Sequence, residues 1–474
     1  MQNLQRKKIT TVNGTEYILN EQIGEGAQGV VYTETNGEHL IKLYNNGSPI
    51  QNRNKINKLN WLIKQDFPDQ FIKPLEIIET PYVGYSMKQV KGHVSLNRLL
   101  VPSKDNSFAD WYNKETGGLR RRFFLGYKIA MQFAMLHETN RAYCDISGNN
   151  ILVNEDSKVA SVCMIDIDNI YIPGGDSGNV LGTSRYMAPE IMKKQMLPDI
   201  FTDCYSLAVI LFEILRVGHP YIGDVVEDGT PEQQEQAYLG LYPYVDDDEN
   251  EMNRSSQMLP EDVVFTKEIR ELFKRTFING KENRMERATA RDFALAFLEA
   301  SNKVMKCPVC GSWHLATPSP DRKYYCPWCD EENPRPLFLQ FKDRCVVKEP
   351  GKEAKKDDIP INSFVIRREK NDVTENYISN FYVRRNKFDS PVSQYFTIRM
   401  AMDGKYYIIN SSGRELYLKK AAESRLKAIQ KTTEPLEISQ GDMIFFEDVT
   451  QRKEEAFADQ DYYRGVLFRY AILR

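Results

Sequence analysis

The sequence predicts an α+β fold: a two-lobed N-terminal body, then a small cysteine module, then a region built of strands. Three observations carry this prediction. Short strand-like runs fill residues ~10–90, helical periodicity dominates ~119–302, and strand-like runs resume after two C-x-x-C pairs. A chain of 474 residues is long enough for about three domains. Its charged fraction of 27% and hydrophobic fraction of 41% are those of ordinary globular protein. A net charge of −3 supplies no general attraction to nucleic acid or to an anionic membrane. No apolar run approaches the ~20 residues needed to span a bilayer; the longest candidate, Tyr205 to Leu215, contains Glu213. The polar start Met1 to Lys8 lacks the apolar core of a signal peptide. Four of the eight cysteines fall in the two pairs, while Cys144, Cys163, Cys204 and Cys345 are scattered. That usage points to a reduced, cytoplasmic protein rather than a disulfide framework.

In chain order, Asn13-Gly14 is a hairpin signal. Tyr17-Ile18-Leu19 and Gly29-Val30-Val31-Tyr32 read as strands around a glycine-rich turn, and Asn36-Gly37 leads tightly into the strand Glu38 to Tyr44. Ile56, Leu59, Leu62 and Ile63 recur at helical spacing. Phe123 to Leu136 reads as an amphipathic helix, and Asp203 to Leu215 as a buried one, being apolar nearly all round. Phe293 to Val304 reads as the last helix of the lobe. The acidic run Asp246 to Glu251 reads as a solvated loop. Farther on, Phe338–Phe341, Tyr395–Arg399, Tyr406–Ile409, Met443–Phe446 and Val466–Phe468 read as strands of a small β-sandwich. Gly351 to Asp358, dense in charge, reads as a linker or mobile loop.

The chemistry concentrates in Tyr143-Cys144-Asp145-Ile146-Ser147-Gly148-Asn149-Asn150. Asp145 and Asn150 stand five apart, and Asp166 follows sixteen residues later, after the apolar run Val162 to Ile165. This layout suits phosphoryl transfer: one carboxylate orients the acceptor hydroxyl, and an amide and a second carboxylate hold Mg²⁺ on the nucleotide phosphates. Upstream, Gly24-Glu25-Gly26-Ala27-Gln28-Gly29-Val30-Val31 gives a loop whose backbone can approach phosphates closely, and Lys42 lies on the following strand.

Together these segments resemble the protein kinase family over about residues 15–302. The resemblance implies a bilobal fold that binds ATP and Mg²⁺. It casts Gly24, Gly26, Gly29 and Val31 as the nucleotide-binding loop and Lys42 as the lysine on the α/β-phosphates. Asp145 becomes the catalytic carboxylate, and Asn150 and Asp166 become the Mg²⁺ ligands. Gly182 to Glu190 is similar to the end of the family's activation segment. In the family, that final Glu pairs with an Arg, here Arg287, and the carboxylate opening the buried helix, here Asp203, binds the catalytic-loop backbone. His219-Pro220-Tyr221 resembles the usual turn after that helix.

Several positions depart from the family pattern. Tyr143 and Cys144 stand where His and Arg are usual, so phosphate on the activation segment lacks its customary cationic partner. Ser147 replaces a lysine. Asp166-Ile167-Asp168 replaces Asp-Phe-Gly. The Gln51–Gln65 stretch has no Glu to pair with Lys42.

Cys307-Pro308-Val309-Cys310 and Cys326-Pro327-Trp328-Cys329 give the pattern C-x₂-C-x₁₅-C-x₂-C. Two knuckles of this kind place four thiolates around one Zn²⁺ in a closed, structural site. The module resembles a zinc ribbon; with so few aliphatic residues it relies on metal binding to fold. Tyr406 to Gly413 and Ser439 to Ile444 resemble parts of a forkhead-associated domain. The Gly-Arg and Ser-Arg-x-His elements that read phosphothreonine in that family are absent, which leaves a generic protein-contacting β-sandwich as the other reading.

The expected organisation is therefore a kinase domain at 10–302, a zinc ribbon at 303–333 and a β-sandwich at 335–474. The expected activity is transfer of the γ-phosphoryl group of ATP to Ser/Thr hydroxyls of proteins, the chain itself included. The alternatives are a nucleotide-binding pseudokinase scaffold and a kinase fold that transfers nucleotide to protein. The domain series also resembles kinases that work beside a metal-dependent protein phosphatase and a von Willebrand A-type protein, which would be partners besides the protein substrate.

Overall fold

The computed structural model describes residues 4–26, 28–45, 47–171, 182–350, 352–368, 372–383, 392–452 and 463–474. Ala27 of the glycine-rich loop and Gly351 of the expected linker fall outside these. Internal contacts divide the chain into two compact units, Met1–Leu298 and Glu299–Arg474. Among the described residues, no helix is long and apolar enough to cross a membrane.

The first unit has two lobes. The smaller is an antiparallel sheet in the spatial order Lys8–Thr10, Glu16–Gly26, Gly29–Glu34, His39–Tyr44, Gly84–Lys88, Pro74–Ile78. Gly14 and Gly37 adopt positive φ in the two tight connections, as their Asn-Gly signals predict. Alternating Val30, Tyr32, Ile41 and Leu43 pack this lobe's core with Leu19 and Ile78. The helix Pro49–Lys64 follows the fourth strand and opens with a capping box between Ser48 and Gln51. It is longer than its apolar spacing suggested, and only Leu59 and Leu62 of the predicted stripe are fully buried.

The larger lobe is built around the helices Gly118–His137 and Ile200–Arg216. Every residue from Thr202 to Arg216 is buried, in keeping with a surface apolar nearly all round. Asp199 caps that helix through the amides of Phe201 and Thr202. A small sheet of His93–Ser95, Ile151–Asn154 and Val162–Met164 has its last two strands between the segment Tyr143–Asn150 and Asp166.

In the second unit, the hairpin Val304–Lys306/Trp313–Leu315 and the hairpin Tyr324–Tyr325/Glu332–Asn333 each hold one cysteine pair in their turn. The rest forms two antiparallel sheets. One runs in the order Lys355–Ile366, Leu337–Lys348, Tyr463–Leu473, Met443–Phe445, Tyr417–Lys419, Leu426–Ala428. The other runs Thr374–Ser379, Gln394–Met400, Tyr406–Ile409, Leu436–Ile438. Phe446, at the end of a strand of the first sheet, packs on Tyr395 and Phe396 of the second.

Three local expectations need correction. The last helix is Ala290–Ala300, and Val304 belongs instead to a strand, because Val304–Lys306 pairs with Trp313–Leu315. The described part of the expected linker is largely strand: Lys355 to Asp358 lie in an edge strand, where Asp358 pairs with Arg344. Dense charge is compatible with an edge strand, whose outer side faces water. In the acidic run, Asp246 is partly buried against Arg216 at 2.6 Å, while Asp248 to Glu251 are exposed.

Candidate active site

The glycine-rich segment folds as a hairpin in which Gly24 faces Val31 and Gly26 faces Gly29. Its glycines have different reasons. A Cβ on Gly29 would lie 2.2 Å from the Leu43 carbonyl oxygen, so the neighbouring strand excludes a side chain there. A Cβ on Gly26 would meet nothing within 4 Å, and one on Gly24 only Val31 Cβ. Among the described residues no protein atom demands glycine at 24 or 26, which leaves open space over them.

Lys42, only 4% exposed, lies on the strand His39–Tyr44. Its Nζ is 3.2 Å from Asp166 Oδ1 and 3.2 and 3.1 Å from the two oxygens of Asp168. The Tyr44 hydroxyl donates to Asp168 Oδ2 at 2.6 Å. Burial works against the charged form of the Lys42 amine, but Asp168 and then Asp166 reverse this and raise its pKa. Burial likewise favours the neutral form of Asp168, yet Lys42 and the Tyr44 hydroxyl outweigh it and hold the carboxyl below its usual range. For Asp166, burial wins over the attraction of Lys42 and the carboxyl is raised. Asp166 itself is left-handed, at φ +57° and ψ +44°, the kind of uncommon backbone that marks functional turns.

Asp145 follows backbone that Asp203 organises. Asp203 accepts hydrogen bonds from the Tyr143 and Cys144 amides at 2.6 and 3.0 Å and lies 3.2 Å from His137 Nε2. Asn150 Nδ2 donates to the Asp145 carbonyl at 3.0 Å and to Oδ2 at 2.8 Å. With its nitrogen committed, the amide oxygen is the Asn150 atom that could hold a cation. The other carboxylate oxygen, Oδ1, accepts from both the Thr183 amide and the Thr183 hydroxyl, each at 3.1 Å. Burial pushes the Asp145 carboxyl up, and the Thr183 and Asn150 donors oppose that shift.

The activation-segment end is anchored as the sequence suggested. Arg287 grips Glu190 with two bonds of 2.7 and 2.9 Å. Arg185 instead pairs with the buried Glu213 at 2.6 Å. Sequence reading missed Asp168, Tyr44, Gln28 and Asn169. Only Asp168 left a trace there, as the acidic residue where the family has glycine.

The four cysteine sulfurs of the second unit lie within 4.8 Å of one another. Cys307 and Cys329 Sγ are 3.7 Å apart, and Cys310 and Cys326 Sγ 3.6 Å. A tetrahedral Zn²⁺ with bonds of about 2.3 Å demands sulfur separations of about 3.8 Å, so the cluster fits that ion. Both knuckles repeat one backbone pattern: the Gly311 amide donates to the Cys307 carbonyl at 3.0 Å, and the Asp330 amide to that of Cys326 at 2.8 Å. Gly311 and Asp330 both have positive φ.

The profile of the family described as "Protein kinase domain" matches residues 17–295, more than half of the chain. Protein kinase YegI of Escherichia coli K12 is 23% identical over 354 residues, covering 70% of this chain and 51% of its own length. Serine/threonine-protein kinase dkf-2 of Caenorhabditis briggsae is 27% identical over 232 residues, covering 47% of this chain and 18% of its own. Serine/threonine-protein kinase ATG1b of Arabidopsis thaliana is 24% identical over 215 residues, covering 44% and 29%. The chain thus spans about half the length of the YegI proteins it matches.

Proposed function

This chain belongs to the protein kinase family, and from that premise we propose that it transfers the γ-phosphoryl group of ATP to Ser/Thr hydroxyls of proteins, its own included. The observation that carries this reading is the state of Asp145. One of its oxygens is fixed by Asn150, while the other already accepts a threonine hydroxyl at 3.1 Å. A short aliphatic hydroxyl therefore reaches this carboxylate in a hydrogen-bonded pose, as an acceptor must. In the reaction, the acceptor oxygen bonds to Pγ as the bond from Pγ to the β–γ bridging oxygen breaks. ADP leaves with that oxygen, and the hydroxyl proton passes towards Asp145. Lys42 neutralises phosphate charge, and the hairpin around Gly24 and Gly26 lets backbone amides approach the phosphates. Asn150 and Asp166 would hold Mg²⁺, which supplies charge neutralisation on the phosphates.

The pseudokinase reading drew on the lack of a helix carboxylate for Lys42. The Lys42–Asp168 pair removes that reason and supports the active reading. The domain plan extends the proposal: a kinase domain at 10–302, a structural Zn²⁺ on Cys307, Cys310, Cys326 and Cys329 within a ribbon at 303–333, and a β-sandwich at 335–474 that makes protein contacts. A metal-dependent phosphatase and a von Willebrand A-type protein are the partners this plan suggests.

Parallel incubation with γ-labelled and α-labelled ATP tests the reaction. Label from γ alone, on serine or threonine and lost in Asp166→Ala, is expected. Label from α would mean nucleotide transfer, and label from neither would mean a scaffold.

A further inference from the structure

We infer that Asp168 is the positioning residue for Lys42, replacing a carboxylate from the helix Pro49–Lys64, so that the turn Asp166–Asn169 ties the lysine, the metal-ligand position and the glycine-rich hairpin together. This deepens the kinase reading and rests on it.

A buried ammonium must be paired, or burial costs several kcal/mol. The helix beside Lys42 has no acidic residue to offer: its sixteen residues contain neither Asp nor Glu. Its cations stand there instead. Lys55 Nζ lies 4.6 Å from the centre of the Tyr44 ring, and both Lys55 and Lys58 interact electrostatically with Asp168. The charge arrangement is thus inverted. The carboxylate comes from the turn and the positive charge from the helix. Lys42 and Tyr44 are two residues apart on one strand, so both side chains leave the same face, and both end on Asp168.

The same turn makes a second connection. Gln28, at the tip of the hairpin, donates from Nε2 to Asn169 Oδ1 at 2.9 Å. Within four residues the turn therefore presents both Asp166, the proposed Mg²⁺ ligand, and Asp168 to the lysine, and Asn169 to the hairpin. Asp168 is not placed as another metal ligand. Its Oδ1 is taken by Lys42, its Oδ2 by Lys42 and Tyr44, and it is only 6% exposed.

The test compares parent, Asp168→Ala, and Asp168→Ala carrying Lys55→Glu, which returns a carboxylate to the helix. Two readouts are taken: MgATP affinity by calorimetry, and initial γ-phosphoryl transfer to dephosphorylated casein across a Mg²⁺ titration. Asp168→Ala should lower kcat about 100-fold, the scale for a misplaced catalytic group. It should weaken MgATP binding about tenfold while leaving the Mg²⁺ half-saturation point in place, and Lys55→Glu should restore at least a tenth of the lost rate. A shifted Mg²⁺ requirement with no rescue would make Asp168 a metal ligand and overturn the proposal, as would parental affinity and rate in Asp168→Ala. If the alanine variant does not fold, the isosteric Asp168→Asn is put through the same comparison. A parent that binds MgATP but transfers nothing would sink the kinase reading, and the calorimetric comparison would still decide the role of Asp168.

Discussion

Arg287→Ala should cost the first unit more stability than any surface change can. The guanidinium is 3% exposed and spends four hydrogen bonds: two on Glu190, one of 2.8 Å on the Gly280 carbonyl and one of 3.1 Å on the Phe201 carbonyl. It also lies 5.1 Å from the centre of the Tyr205 ring. Truncation leaves Glu190 as a partly buried carboxylate without its fork. Removing one partner of a buried pair typically costs about 3–5 kcal/mol. At about 2 °C per kcal/mol for a unit of this size, the melting temperature should fall about 6–10 °C. Arg287→Lys keeps the charge but cannot form the paired bonds, so it should fall between parent and alanine. There is also a pH signature. Burial raises the Glu190 carboxyl, but Arg287 more than reverses this and holds it below its ordinary value. A lowered folded-state pKa gives stability that is present above the unfolded value of 4.5 and lost as pH falls through the folded one. The gap between parent and Arg287→Ala should therefore narrow in acid below about pH 4.5. Differential scanning calorimetry of the full chain at pH 7 and pH 4 makes the comparison. An alanine variant melting within a degree of the parent at pH 7 would refute the argument that this buried fork anchors the segment.

Zinc should copurify at one equivalent per chain, and Cys326→Ser should unfold the cysteine module without stopping phosphoryl transfer; elemental analysis of fresh protein finding no metal would sink this. The reaction should not need phosphate on Thr183, Ser184 or Tyr186, because Cys144 offers no charged donor. Phosphate on Thr183 would also set a dianion beside Asp145, whose Oδ1 now accepts the Thr183 hydroxyl. Phosphatase treatment should leave the initial rate on an added substrate unchanged, and a large loss reversed by rephosphorylation would falsify this reading. His137 gives a further pH test. Burial lowers its basicity, but the Asp203 bond leads the effects that raise it to about 9. A raised pKa means stability fully present below about pH 6.5 and lost as pH rises through about 9, roughly 3 kcal/mol in all. Urea melts of parent and His137→Ala should therefore converge between pH 6 and pH 10; a constant difference would refute the charged pair.

Elements with strong periodicity were legible in the sequence. The nearly all-apolar surface of Asp203 to Leu215 marked a central helix, and Asn13-Gly14 and Asn36-Gly37 marked their hairpins, because local chemistry determines both. The resemblance to the protein kinase family gave Asp145, Asn150, Asp203, Glu190 and Arg287 their expected places. The Glu190–Arg287 pair and the bonds from the Tyr143 and Cys144 amides to Asp203 are formed as that resemblance implies. What stayed hidden depended on long-range pairing. Asp168 lies 126 residues from Lys42 and Asn169 lies 141 from Gln28, and no periodicity couples positions so far apart. The strand through Lys355 was masked by its charges, which are compatible with an edge strand, where one side faces water. The end of the helix at Ala300 was missed because Val304 continues an apolar pattern that a new hairpin then uses.

The bond from Gln28 to Asn169 also has a kinetic meaning. It is a neutral side-chain contact, and such a bond contributes about 1 kcal/mol net. At that strength the bond makes the open hairpin only about fivefold rarer than it would be without it. The hairpin tip is thus tied to the turn by a weak side-chain latch, beside the backbone bond from the Asn45 amide to the Gln28 carbonyl, while Lys42 is held by a buried ion pair. Opening the hairpin for exchange need not disturb the lysine. ADP could leave and ATP enter with the charged floor of the site still assembled. Nucleotide exchange would then depend on the latch and not on rebuilding the site, and Gln28→Ala should speed nucleotide release up to about fivefold before it alters the chemical step.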